Sequence, residues 1–174
     1  MEEAKQNNKD IINRYDITSD SYDELYGEEQ IEKFNEVFKN IEPKGKIADI
    51  GCGTGLLLEY LINNDKFKNV YLYVCFDLSI NMLKIANDRA IRHHCDKCFM
   101  IKGNAEYLPF KDKEFDYVFS FSTVNLLDNP DKSIEEMKRI GKNVIISFVK
   151  KLKLVKVKGY IIGETEKDFI LRVI

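Results

Sequence analysis

The chain has 174 residues, 44% hydrophobic and 32% charged with both signs mixed, a globular composition long enough for one domain with a real core. Its formal net charge of −2 excludes the global basic field that recruits nucleic acid, and no apolar run approaches the roughly 20 residues of a membrane-spanning helix. The polar stretch Met1–Lys9 does not read as a secretory signal, so a cytoplasmic protein is expected.

Residues 1–14 read as a polar helix or arm. Tyr15-Asp16-Ile17-Thr18-Ser19-Asp20-Ser21-Tyr22-Asp23-Glu24-Leu25-Tyr26 then alternates tyrosine and aspartate, with N-cap chemistry at Ser19–Asp23. Ile31, Phe34, Val37, Phe38 and Ile41 mark one face of a helix over 30–41, ended by Pro43 and Gly45. Ile47-Ala48-Asp49-Ile50 predicts a buried parallel strand in which Asp49 is out of place as core. Gly51, Gly53 and Gly55 follow, and a helix resumes at Leu56–Ile62. Strand, glycine turn and helix form a nucleotide-type site at the carboxyl ends of an open sheet. The third glycine comes one residue too early for a dinucleotide fingerprint, and no Lys-Ser or Lys-Thr follows to make a P-loop.

Val70–Phe76 is a second strand closed by Asp77, which either binds a ligand or, with Ser79, caps the helix that runs to about Arg92. Of the four cysteines, Cys52 and Cys75 read as small buried residues. His93-His94-Cys95-Asp96-Lys97-Cys98 has zinc-ligand types at C-x-x-C spacing but no second pair elsewhere. It is open to a metal, a disulfide or redox pair, or an ordinary helix end. Strands are expected at Cys98–Lys102, Phe115–Ser122 and Asn143–Val149, with a helix over 132–140 ended by Gly141. Leu154–Ile162 and Phe169–Ile174 read as a hairpin. Lys150, Lys151, Lys153, Lys156 and Lys158 read as a solvated edge rather than a nucleic-acid patch.

Four segments, in order, resemble class I S-adenosylmethionine (SAM) dependent methyltransferases. They are Asp49-x-Gly51-x-Gly53-x-Gly55, Asp77-Leu78-Ser79-x-x-Met82-Leu83, Gly103-Asn104-Ala105-x-x-Leu108-Pro109-Phe110 and Phe115-Asp116-x-Val118. The resemblance implies a cofactor, SAM, and a doubly wound α/β fold. Its seven-stranded sheet would be mostly parallel, with a C-terminal antiparallel hairpin and the last crossover helix missing. A single domain would span 1–174, with 1–40 as a helical lid. It implies Asp49 near the methionine end, the Gly51-Cys52-Gly53 backbone and Gly55 against the cofactor, and Asp77 with Leu78 at the ribose. It further implies Asn104 and Ala105 at the adenine, Ser120 at the end of the fourth strand, and Tyr15 and Tyr26 at the mouth. Asn104 stands where the family usually has aspartate.

The expected activity is methyl transfer from SAM to an O, N or C nucleophile, with no catalytic residue assigned and no metal. The alternative is a SAM-binding regulatory or partner-dependent subunit. The Pro-Pro motif of enzymes that methylate planar nitrogens is absent from Ser122-Thr123-Val124-Asn125-Leu126-Leu127-Asp128, and no cysteine nucleophile stands there. Thr123 and Asn125 are substrate-side candidates by position. Small-molecule, RNA and protein substrates stay open. The missing helix predicts a dimer, an activator subunit or the N-terminal helix over the sheet face it leaves.

Overall fold

The computed structural model describes residues 21–151 and 157–174. In chain order the elements are α1 (Tyr22–Phe38), β1 (Gly45–Ile50), α2 (Leu56–Asn63), β2 (Val70–Asp77), α3 (Ile80–Arg92), β3 (Cys98–Lys102) and β4 (Phe115–Ser120). A 3-10 turn (Val124–Leu126), α4 (Pro130–Ile140), β5 (Gly141–Val149), β6 (Gly159–Glu164) and β7 (Asp168–Val173) complete them. The seven strands form one sheet in the order β3-β2-β1-β4-β5-β7-β6. β1 to β5 run parallel, and β7 pairs antiparallel with both β5 and β6. The expected architecture is therefore present. Among the described residues neither the β3–β4 nor the β5–β6 connection contains a helix.

The sheet's central strands are apolar on both sides because both sides are covered. One face packs α1, α2 and α3 through Phe34, Val37, Phe38, Leu58, Leu61, Leu83 and Ala86 against Ile47, Tyr73 and Phe119. The other packs α4 through Ile134, Met137 and Ile140 against Ile50, Val118, Val144 and Ile146. The chain leaves β1 outward to β2 and β3, then returns to β4 on the other side of β1. That reversal places a topological switch point at the carboxyl ends of β1 and β4, where ligands of open α/β sheets bind.

Three local expectations change. The first helix among the described residues begins at Tyr22, eight residues before the predicted start, so the end of the tyrosine–aspartate stretch, from Tyr22 on, supplies its opening turn. Gly141 is extended rather than left-handed, and α4 runs directly into β5. Gly141 still ends the helix as its C-cap, and because a Cβ there would lie 2.6 Å from Val118 Cγ2, close approach to β4 is what demands a glycine. Cys95 and Cys98 are joined as a disulfide between the end of α3 and the start of β3. Among the described residues no helix is long and apolar enough to cross a membrane. Residues 1–20, which include Tyr15, and residues 152–156, which include Lys153 and Lys156, lie outside the described residues.

α1 packs over β6 and β7, so the N-terminal helix covers this part of one sheet face. Its attachment is ionic as well as apolar. Lys33 and Asp168 are both fully buried, with Nζ 3.0 Å from Oδ2. Removing one member of such a pair strands the other charge, so Lys33→Met is expected to cost roughly 3–5 kcal/mol in urea unfolding. The double change Lys33→Met, Asp168→Leu should recover most of that loss.

Candidate functional site

β1 ends in a turn whose residues Gly51, Gly53 and Gly55 all have positive φ, 74°, 54° and 82°. Side chains rarely adopt that region, and a Cβ at Gly51 would also fall 2.1 Å from Thr123 Oγ1. At Gly53 a Cβ would meet nothing within 4 Å, so that position opens on free space. The turn is stitched to β2: Gly51 N and Cys52 N both donate to Phe76 O, and Gly53 N donates to Asp77 Oδ2 at 2.9 Å. Asp77 Oδ1 accepts from Ser79 N at 2.9 Å. Ser79 caps α3 by accepting from Met82 N, so Asp77 is not spent on the cap. These two bonds fix the direction in which the Asp77 carboxylate points.

These groups border a cavity at the switch point. Gly51, Gly53, Phe76, Asp77, Leu78, Met82, Gly103, Asn104 and Ala105 line one half. Tyr22, Phe121, Ser122, Thr123, Leu126 and Leu127 line the other. A smaller recess shares Tyr22, Gly51, Gly53 and Phe121 with it and is lined also by Asp49, Gln30 and Cys52.

Asp49 is 3% exposed and accepts from Tyr73 Oη at 3.0 Å. Burial pushes its carboxyl up to about 7, against the lowering effect of the Tyr73 bond. Asn104 Oδ1 accepts from Glu106 N at 2.9 Å, which keeps the amide at the cavity wall with one lone pair to spare.

Of the residues singled out in the sequence, Gly51, Gly53, Asp77, Leu78, Asn104 and Ala105 come together around the large cavity, with Asp49 and Cys52 in the recess beside it. Three do not join them. Gly55 begins α2, and a Cβ there would sit 3.0 Å from Ala86 Cβ, so it serves the packing of α2 on α3. Ser120 is fully buried and donates to Ile50 O at 2.8 Å, stitching β4 to β1 behind the cavity. Tyr26 packs against Tyr22 with tilted rings whose centroids are 5.0 Å apart, and it is Tyr22 that lines the wall. Thr123 lines the wall as expected, whereas Asn125 accepts from Val149 N. Phe121 and Ser122 escaped the sequence reading. Their one signal was position, directly after the carboxyl end of β4.

The opening of α1 is held to the glycine turn. Arg89, 6% exposed, donates to Thr54 O at 2.7 Å and to Thr54 Oγ1 at 3.0 Å, and pairs with Asp23 and Glu59. Thr54 Oγ1 donates to Asp23 Oδ1 at 2.6 Å. These contacts hold Tyr22 over the cavity.

Residues 48–144, more than half the chain, match a family model described as a methyltransferase domain. The chain belongs to the SAM-dependent methyltransferase family. It is 34% identical over 143 residues to an uncharacterised protein of Methanocaldococcus jannaschii, covering 79% of this chain and 62% of that one. It is 33% identical over 171 residues to a ubiquinone/menaquinone biosynthesis C-methyltransferase of Wigglesworthia glossinidia, covering 87% of this chain and 64% of that one. The chain thus spans a little under two-thirds of these relatives' length. A solved methyltransferase from Haloferax volcanii, in complex with the Trm112 methyltransferase activator, shares the fold at a TM-score of 0.67 and 21% identity. That match covers 76% of this chain and 59% of that one.

Asp49 makes the domain's stability depend on pH. Its folded-state carboxyl binds a proton that the unfolded chain, near the usual 3.8, has already released, so native stability falls as pH rises from about 4 to about 7. Asp49→Asn should remove that slope and be more stable than the native chain above pH 7, by a few kcal/mol in urea titrations at pH 5 and 8.

Proposed function

We propose that this domain transfers a methyl group from SAM to a nucleophile placed against Tyr22, Phe121 and Ser122. The observation that carries the reading is Asp77, aimed into the cavity by Gly53 N and Ser79 N. A carboxylate fixed in this way suits the two adjacent hydroxyls of a ribose, which present their donors side by side. Asn104 and Ala105 then stand at the adenine, and Phe76, Leu78 and Met82 supply its apolar surroundings. The Gly51–Gly53 backbone admits the cofactor's length. Asp49, in the recess, faces the methionine end, whose positive charge favours the ionised form of this buried carboxyl.

SAM brings a sulfonium-bound methyl that is already electrophilic. The protein's task is alignment and exclusion of water. Tyr22 and Phe121 close the cavity from opposite elements, α1 and the end of β4, and Phe34 holds the Phe121 ring edge-on at 5.1 Å.

A second reading, an enzyme that works with an activator subunit, is favoured by a groove on the face of the sheet opposite α1. Its lining mixes apolar Ile134, Val157 and Val173 with charged Asp131, Glu135, Lys138 and Lys158. Activity that appears only when a co-purifying protein is restored would favour this reading.

Calorimetric titration with S-adenosylhomocysteine tests the main reading. The native chain should bind, and Asp77→Ala should lose roughly 100-fold in affinity, the worth of two hydrogen bonds to a charged group at about 1.5 kcal/mol each. A native chain that is folded by circular dichroism and takes up no S-adenosylhomocysteine would overturn it.

A further inference from the structure

Behind the acceptor half of the cavity lies a buried polar cluster that cofactor binding does not use. Lys33, fully buried on α1, directs its ammonium group at three oxygens: Glu29 Oε1 at 2.8 Å, Asp168 Oδ2 at 3.0 Å and Ser122 Oγ at 2.6 Å. Gln30, 5% exposed, donates its Nε2 to the same Ser122 Oγ at 3.1 Å. Ser122 N donates to Ser147 Oγ at 2.9 Å, and the residue is held at a φ of 57°.

A hydroxyl oxygen has two lone pairs and one proton. Lys33 and Gln30 take both lone pairs of Ser122. Its own O–H meets no acceptor among the described residues. The buried carboxylate of Asp168, whose Oδ2 is paired with Lys33, takes no hydrogen bond from it. Ser122 stands in the cavity wall beside Phe121 and Leu126. Thr123, next to it, spends its hydroxyl on Phe121 O and Gly51 O at 3.1 and 3.3 Å.

Resting on the methyl-transfer reading, we propose that Ser122 is an obligate hydrogen-bond donor to the methyl acceptor, and that the acceptor presents an anionic oxygen there, as a carboxylate or an enolate. Two features select the anion. The Lys33 ammonium polarises the hydroxyl it bonds and strengthens it as a donor. And no carboxylate or imidazole lines this half of the cavity among the described residues, so a nucleophile that had to shed a proton would find no base there. An acceptor that enters ionised needs none. Its electron pair forms the bond to the methyl carbon as the carbon–sulfur bond breaks, and the sulfur keeps that pair as a neutral thioether. The anion's charge and the sulfonium's charge cancel, and no proton moves. Ser122 orients the acceptor's oxygen while this happens.

The test uses benzoate as anionic probe and benzylammonium as its cationic counterpart, each titrated into the chain saturated with S-adenosylhomocysteine. Ser122→Gly removes the hydroxyl while suiting the positive φ, and an unchanged melting temperature shows that it folds. Benzoate should bind the native complex about tenfold more tightly than the Ser122→Gly complex, with benzylammonium indifferent to the change. Ser122→Asp, which tolerates the same backbone region, should reject benzoate and take up benzylammonium. Benzoate binding that is absent, or equal in native and Ser122→Gly complexes, overturns the anionic acceptor and leaves the cofactor reading standing. A native chain that fails to bind S-adenosylhomocysteine overturns both.

Discussion

The site depends on one reversal of the chain between Ile50 and Leu56. Three residues there occupy the left-handed region within five positions, which costs an ordinary side chain about 1–2 kcal/mol each. Glycines remove that cost and leave the backbone bare toward the cavity at Gly53. The turn's N–H groups are not left waiting for a ligand: two go to Phe76 O and one to Asp77. The ends of β1 and β2 are thereby welded together, and the aspartate that faces the cavity is oriented by the same turn that makes room beside it.

The first helix is governed by charges at both ends. Asp23 and Lys33 are ten residues apart, about 15 Å along an α-helix. Asp23 is fastened to Arg89 and Thr54 under the glycine turn. Lys33 is fastened to Asp168 on β7 and to Ser122 after β4. Each contact is a poor source of stability, because burying an ion costs much of what its partner returns. Their effect is geometric. Apolar contacts through Phe34, Val37 and Phe38 would let the helix slide or roll, whereas two ionic attachments on opposite sides of the cavity hold Tyr22 and the Ser122 hydroxyl in place.

The economy of the fold shapes the same cavity. Where the sheet could carry helices between β3 and β4, and between β5 and β6, the described residues form loops and turns. The segment after β3 instead holds its shape through Arg139 of α4, which donates to Leu108 O and Phe110 O, and through Glu136, which accepts from Leu108 N. α4 enters β5 without a loop because Gly141 lets it lie on Val118. The cavity is bordered by the segments that follow β1, β2, β3 and β4, by Met82 of α3 and by Tyr22 of α1.

Local pattern was enough for much of this. Alternating glycines after a β-branched run, an aspartate closing the second strand, and apolar stripes at helical spacing are encoded within a few residues of each other. The strands, the described helices apart from the opening turns of α1, and the cavity's Asp77 half were legible on that basis. So was the hairpin, although only pairing could show that β7, not β6, lies next to β5. Gly55 and Ser120 looked like ligand-facing residues because sequence records position along a strand or turn but not what stands opposite. Ala86 and Ile50 stand there. Gln30 and Lys33 broke the apolar stripe of the first helix, a signal whose meaning was closed to sequence because their partners are 92 and 135 residues away, at Ser122 and Asp168. What the sequence by itself determined is the nucleotide-type turn, the strand that leads to it and the carboxylate beside it, since these follow from backbone sterics and short-range periodicity. Which polar groups are buried, and that Lys33 and Gln30 converge on the Ser122 hydroxyl, was decided only when the folded sheet brought distant segments within hydrogen-bond reach.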